Sequence, residues 1–151
     1  MGKINLGDIF EIKTAKGSAY LHYVYVENTG RELVRVLPGL YSERPENLEE
    51  LAKGKEQFLV FFPLSPAVKR KIVQKVATAS SETFTMPQYM RSPHNVRNEF
   101  LGWFIINTST WQRQLVKELT VEQKKMSDWA TWNDTLLVKL LTEGWSLESW
   151  I

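Results

Sequence analysis

The apolar positions of the first forty residues fall in short runs that break at small polar clusters. Such runs, bounded by turn residues, predict strands. Asp8 to Lys13 carries Ile9, Phe10 and Ile12 and reads as a first strand. Thr14-Ala15-Lys16-Gly17 is a hairpin connection in which Gly17 is free to take positive φ. Ser18 to Val26 is the second strand. One of its faces holds Tyr20, His22, Val24 and Val26, the other Ala19, Leu21, Tyr23 and Tyr25. Both faces are apolar or amphipathic, so the strand is either covered on both sides or bears an aromatic surface. Asn28-Thr29-Gly30 forms the next turn, and Arg31 to Leu37 a third strand ended by Pro38-Gly39. Three strands joined by tight turns predict a meander.

The period then changes. Glu46 to Lys53 reads as a short helix, with Glu46, Glu49 and Glu50 early, Lys53 late and Gly54 after it. Gln57 to Phe62 is a continuous apolar run stopped by Pro63, which predicts a buried strand. Ser65 to Ala77 reads as the clearest helix. Ser65 can cap it, Pro66 suits its first position, and Val68, Ile72, Val73 and Val76 make one apolar stripe. Lys69, Arg70, Lys71 and Lys75 lie off that stripe. Thr78 to Asn98 shows no period and reads as irregular. Phe100 to Ile106 and Trp111 to Val116 are two more strands. Thr120 and Gln123 form a capping box for a short helix. A final helix starts near Asn133 or Asp134, buries Leu136, Leu137, Leu140 and Leu141, and stops at Gly144. The predicted architecture is α+β: a twisted, mostly antiparallel sheet starting with a three-strand meander, with three to four short helices packed on one side.

Length and composition narrow this picture. The chain has 151 residues, which fits a single domain over 1–151. It is 43% hydrophobic and 24% charged, so a sizeable core is expected and disorder is not. There are no cysteines, which excludes disulfides, thiol nucleophiles and Cys-ligated metals. No apolar run approaches the roughly 20 residues of a membrane span. The opening MGKINL lacks the Ser or Thr of a myristoylation site at Leu6. A cytoplasmic protein with no membrane partner is expected. The net charge of +2 makes a nucleic-acid partner a weak expectation.

No catalytic motif is found: no phosphate-binding glycine loop, no H-E-x-x-H and no G-x-S-x-G. No catalytic residue, metal ligand or cofactor is assigned. His22 and His94 could do acid–base work only if the fold brought them together or set one beside an acid such as Asp8 or Glu99. The expected alternative is a strand histidine held by a hydrogen bond and a loop histidine in solvent. Two groups of residues are candidates for partner binding. One is the acidic set Glu43, Glu46, Glu49 and Glu50. The other is Tyr89, Arg91, His94 and Arg97 on the "MPQYMRSPHNVRN" stretch, residue types that favour interfaces or nucleic-acid backbones. All six tryptophans follow residue 102. Trp103 is expected in the core, Trp129 and Trp132 as its lid, and Trp150 partly exposed.

Four stretches together carry a family resemblance: the "GDIFEI" strand with its aromatic successor, "FLVFFPLSPAV", "GWFII" and "WNDTLLVKLLTEGW". They resemble small immunity proteins of bacterial polymorphic-toxin systems, nearest the immunity protein 26 type. The resemblance spans most of the chain, with "TASSETFTMPQYMRSPHNVRN" outside it, and it transfers no site residue. It implies a cytosolic inhibitor that binds a cognate protein toxin and occludes its active site without catalysis. The alternative is a nucleic-acid-binding small barrel, in which sheet aromatics stack bases and the Ser65 helix holds phosphates.

Overall fold

The computed structural model describes residues 3–150. Its first half builds a five-stranded antiparallel sheet. β1 (Asp8–Thr14), β2 (Gly17–Val26) and β3 (Glu32–Val36) form the expected meander. β4 (Phe58–Phe61) adds to β3, and β5 (Val73–Thr78) adds to the free side of β1, giving the order β4-β3-β2-β1-β5. Gly17 closes the β1–β2 turn at φ +129°, and a Cβ there would lie 3.0 Å from the Tyr41 carbonyl oxygen.

Both faces of this sheet are covered, which explains why β2 reads apolar on both sides. One face presents Phe10, Ile12, Leu21, Tyr23, Val34, Val36, Phe58 and Val60. It packs against α2 (Leu64–Lys69) and α3 (Asp134–Thr142) through Leu64, Ala67, Leu137 and Leu141. The other face presents Ile9, Tyr20 and Leu37 to α1 (Leu48–Lys53), and Val24, Leu33 and Phe61 to Phe84, Met86 and Trp129. The helices therefore lie on both sides of the sheet. The one-sided arrangement expected from sequence is corrected by the buried contacts of Leu48 and Ala52. Tyr20 and Tyr23 are buried within these layers, so the second strand is core and offers no platform for stacked bases.

The segment expected as one long helix from Ser65 splits into two elements. α2 ends at Lys69, and Lys71 takes positive φ (61°), which breaks the helix. Beyond it Val73 to Thr78 extends along β1. Ile72, Val73 and Val76 satisfy a helical stripe, but they are β-branched, and an open sheet edge claims them. Ser65 is not the cap. Its amide and hydroxyl both donate to the Glu32 carboxylate.

A second sheet follows, made of β6 (Tyr89–Val96), β7 (Glu99–Asn107) and β8 (Arg113–Val116) in that order. β6 lies in the stretch read as irregular. Pro93 hid it. The Arg91 amide points outward to the Ser127 carbonyl at 3.0 Å, and Pro93, two residues on, places its missing N–H on the same outer edge. Pro93 thus removes no bond to β7. β8 starts at Arg113 rather than Trp111, because Trp111 sits in the turn at φ 65°.

Residues 126–132 run between the two sheets. They bridge β6 at Arg91↔Asp128 and β4 at Phe61↔Thr131. Arg31 holds this strap from below, donating to the Trp129 carbonyl at 2.8 Å and lying over the Phe61 ring. The Thr120–Gln123 capping box forms reciprocally, but it opens only a single 3-10 turn, η1 (Gln123–Lys125). Asn133 caps α3 through the Leu136 amide. Leu137 and Leu141 are its buried positions, while Leu136 faces solvent.

Candidate functional site

The end of the β6–β7 hairpin stands in solvent: residues 95–101 are all exposed. Its turn is Arg97-Asn98, both at positive φ (51° and 66°), the conformation that the right-handed twist of a two-residue hairpin requires. Gly102 then lets the strand kink. It has φ +137°, and an added Cβ would lie 2.6 Å from the Val116 carbonyl oxygen. The register shifts here, pairing His94 with Gly102 but Asn95 with Phe100, so Leu101 is the extra residue of a bulge.

The small sheet carries an unusual share of apolar surface. Of the ten large apolar side chains exposed among the described residues, six belong to it or its turns: Tyr89, Val96, Phe100, Leu101, Trp111 and Leu115. His94, Phe104 and Leu115 lie on one face, Phe104 in register with Leu115 and His94 diagonal to it, with the His94 and Phe104 rings 4.6 Å apart and Arg113 over Phe104 at 5.3 Å. β8 is the outermost strand, and no described strand pairs with its outer edge.

The sequence candidates on this stretch separate. Tyr89 is exposed at the start of β6, Arg97 is exposed at the hairpin tip, and His94 is half-buried on a strand rather than free in a loop. Arg91 is corrected: it is completely buried and faces inward. Its guanidinium donates to the carbonyl oxygens of Leu147 (2.6 Å), Trp150 (2.7 Å), Met126 (3.0 Å) and Lys124 (3.1 Å). It lies against the rings of both Trp103 and Trp150, at 4.7 and 4.4 Å from their centroids. Burial pushes it down to about 10, with the Asp128 charge opposing that shift, so it stays charged at neutral pH. Arg91 is a clasp for the C-terminal segment and is closed to a partner.

The tryptophans complete that clasp. Trp132, Trp145, Trp150 and Trp103 follow one another with centroid separations of 5.1, 5.6 and 4.7 Å, joining Phe58 in the large core to Phe100 on the small sheet. Trp103 and Trp132 are core, Trp129 packs edge-on against Phe61, and Trp150 is half-buried. Trp111 is the most exposed of the aromatic side chains, leaning on Trp129.

The acidic candidates lie on other elements. Glu43, Glu46, Glu49 and Glu50 are all exposed, in and before α1. Glu50 pairs with Lys53 at 2.9 Å, and that hydrogen bond holds the lysine above its ordinary value. No described contact joins this set to the small sheet. Of the basic residues that were to mark the Ser65 helix, Lys75 lies on β5 and pairs with buried Asp8 at 3.2 Å.

His22 and His94 do not meet, and neither hydrogen-bonds a carboxylate among the described residues. His22 is buried in β2. Its Nε2 lies 2.9 Å from the Ala79 carbonyl oxygen, an acceptor, which fixes the proton on Nε2. Its Nδ1 then accepts from Arg35 at 2.9 Å. Desolvation, together with the Arg35 charge, pushes His22 below its ordinary value and keeps it neutral. Arg35 also donates to Glu56, Ala52 and Gly54, closing the C-terminal end of α1. Sequence reasoning found His22 but missed Arg35, which the alternation of β3 marks as an arginine on a buried face.

No family model matches the chain, and comparison with curated proteins and with solved structures finds no match.

Proposed function

We propose that the chain is a protein-binding inhibitor of the immunity type, acting in the cytoplasm by covering the active site of a cognate protein toxin, with the small sheet as its contact surface. The observation that carries this reading is the concentration of exposed apolar side chains on β6, β7 and β8. Soluble monomers seldom expose large contiguous apolar patches, and those rimmed by charge mark interfaces. Here the exposed Phe100, Leu101, Val96 and Leu115 share the hairpin end and the β8 segment with the exposed charges Arg97, Glu99, Arg113 and Lys117. The outer edge of β8, which no described strand pairs, adds backbone donors and acceptors that an extended partner segment can use. The glutamates around α1 supply a separate acidic face that would steer a basic toxin during encounter.

The test is affinity capture of the tagged chain from its own cells after nuclease treatment, followed by co-expression of the captured protein. One stoichiometric protein partner that kills cells alone and is neutralised by this chain supports the reading. Loss of the partner on nuclease treatment, or death despite co-expression, overturns it.

A further inference from the structure

The face of the large sheet that carries α1 is not filled to its end. Between α1 and residues 79–87 lies an open cleft of about 570 Å³, the size of small-molecule sites. Its apolar lining comes from Val24 and Leu59 on the sheet, Ala52 on α1, and Ala79 and Phe84 opposite. Ser80, Ser81, Thr83 and Thr85 put four hydroxyl groups on the wall facing α1.

Two polar side chains meet in this cleft with bonding capacity left over. The Arg35 side chain is nine-tenths buried, at 10% exposure. A guanidinium has five N–H groups. Four are engaged: by Glu56 Oε1 at 2.9 Å, His22 Nδ1 at 2.9 Å, Ala52 O at 2.7 Å and Gly54 O at 2.5 Å. The fifth has no acceptor among the described residues. Glu56 commits Oε1 to Arg35, while its Oε2 accepts no hydrogen bond from a described residue. One donor and one acceptor therefore remain on a single ion pair. The charges lining the cleft cancel, Arg35 and Lys53 against Glu49 and Glu56, so an ionic ligand gains no net attraction.

We propose that the cleft binds an uncharged heterocycle presenting a ring carbonyl beside a ring N–H, the lactam edge of a nucleobase, in the form of a free nucleoside. The carbonyl accepts the remaining Arg35 N–H, and the ring N–H donates to Glu56 Oε2. The flat ring covers Val24, Leu59 and Phe84, and sugar hydroxyls meet the serine and threonine wall. A site of this kind rejects an analogue lacking the N–H, because Oε2 is then left unpaired in a desolvated cleft.

Uridine and inosine, each titrated into the ¹⁵N-labelled protein, test this against 3-methyluridine and 1-methylinosine, which lack the N–H. The expected result is a saturable set of amide shifts at Leu59, Ala79 and the 80–86 segment, weakened at least tenfold by methylation. Glu56→Gln should weaken binding by a similar factor, and Thr83→Trp, a bulky side chain at an exposed position of the lining, should abolish it with an unchanged melting temperature. Should Glu56→Gln fail to fold, the methylated nucleosides on the natural protein carry the test. No saturable shift with either nucleoside overturns the proposal. So does equal binding of the methylated forms, or shifts centred on the small sheet.

Discussion

Arg91 holds Trp150 twice: its guanidinium donates to the Trp150 carbonyl oxygen at 2.7 Å and stacks on the same residue's ring at 4.4 Å. One side chain thereby fixes both the backbone and the indole of a residue next to the C-terminus. The guanidinium also lies 4.7 Å from the ring of Trp103 on β7, which meets the Trp150 ring edge-on. The last turn of the chain is thus bound to the second sheet, and through Trp145 and Trp132 to the first. Cation–π contacts of this kind contribute about 0.5–2 kcal/mol each, the larger figure when desolvated.

Removing this clasp should destabilise the whole protein. Arg91→Met leaves the Lys124, Met126, Leu147 and Trp150 carbonyls without their donor. It also leaves Asp128, already pushed up by burial, without the arginine that offsets it. Breaking a buried charged network costs about 3–5 kcal/mol, so thermal melting followed by near-ultraviolet dichroism should shift down by roughly 10 °C. Arg91→Lys should recover only a minor part, since an ammonium cannot reach four carbonyls in fork geometry. A variant that melts like the natural protein would show that the clasp contributes nothing.

Stability should also fall on mild acidification, through His22. Its folded value lies below about 6.5, the unfolded one. Between those two values the unfolded chain binds more protons, so stability rises with pH there. The contribution is complete above about pH 6.5 and is lost as pH falls through the lower, folded value. The charge facing His22 is Arg35, with Glu56 behind it, and protonated Nδ1 would oppose the Arg35 donor directly. Asp128, displaced upward, acts with the opposite sign. Comparison with His22→Gln, which cannot charge, isolates the histidine. Urea midpoints should drop more for the natural protein than for the variant between pH 7 and pH 5, and parallel curves would refute the neutral assignment.

Much of this fold could be read from the chain, and the failures have identifiable causes. β1 to β4, β7 and α3 are strongly patterned, and their turns carry Gly17, Gly30, Pro38 and Asn133 where the geometry needs them. Val73 to Thr78 reads as the second half of a helix because a β-branched stripe suits either period, and only the vacant edge of β1 makes it a strand. β6 was masked by Pro93, whose cost depends on which edge its nitrogen faces. Arg91 looked like an interface residue because arginine is common there, and nothing local announces that its acceptors lie 33 to 59 residues away. The cleft was illegible for the same reason: Arg35, Glu56 and the serines and threonines after Ala79 converge only through the sheet.

Gly102 tests how the small sheet is held. Gly102→Ala forces a Cβ to within 2.6 Å of the Val116 carbonyl oxygen at φ +137°, where side chains are strained. Strain at such positions costs about 1–3 kcal/mol. The expected outcome is a local loss: amide exchange accelerates across β8 and the facing half of β7, while β1 to β3 keep their protection. Unchanged exchange in β8 would mean that the two strands separate freely without penalty.

The contact surface is best tested by charge on the exposed apolar positions. Phe100 is 48% exposed and Leu115 is 48% exposed. About half of each side chain already faces solvent, and Phe100 also meets Trp103 edge-on, so Phe100→Glu and Leu115→Glu should each cost about 1 kcal/mol of stability. At the centre of an interface the same change is severe, because a desolvated, unpaired carboxylate replaces an apolar anchor; anchors of that kind contribute about 2 kcal/mol or more, at least a thirtyfold loss of affinity. The two variants should melt within about 4 °C of the natural protein and lose the captured partner. Glu46→Lys with Glu49→Lys, on the acidic face, should instead slow association and flatten its salt dependence while leaving dissociation unchanged. If the glutamate pair on α1 abolishes binding and Phe100→Glu does not, the partner docks on α1 and the apolar sheet has another role.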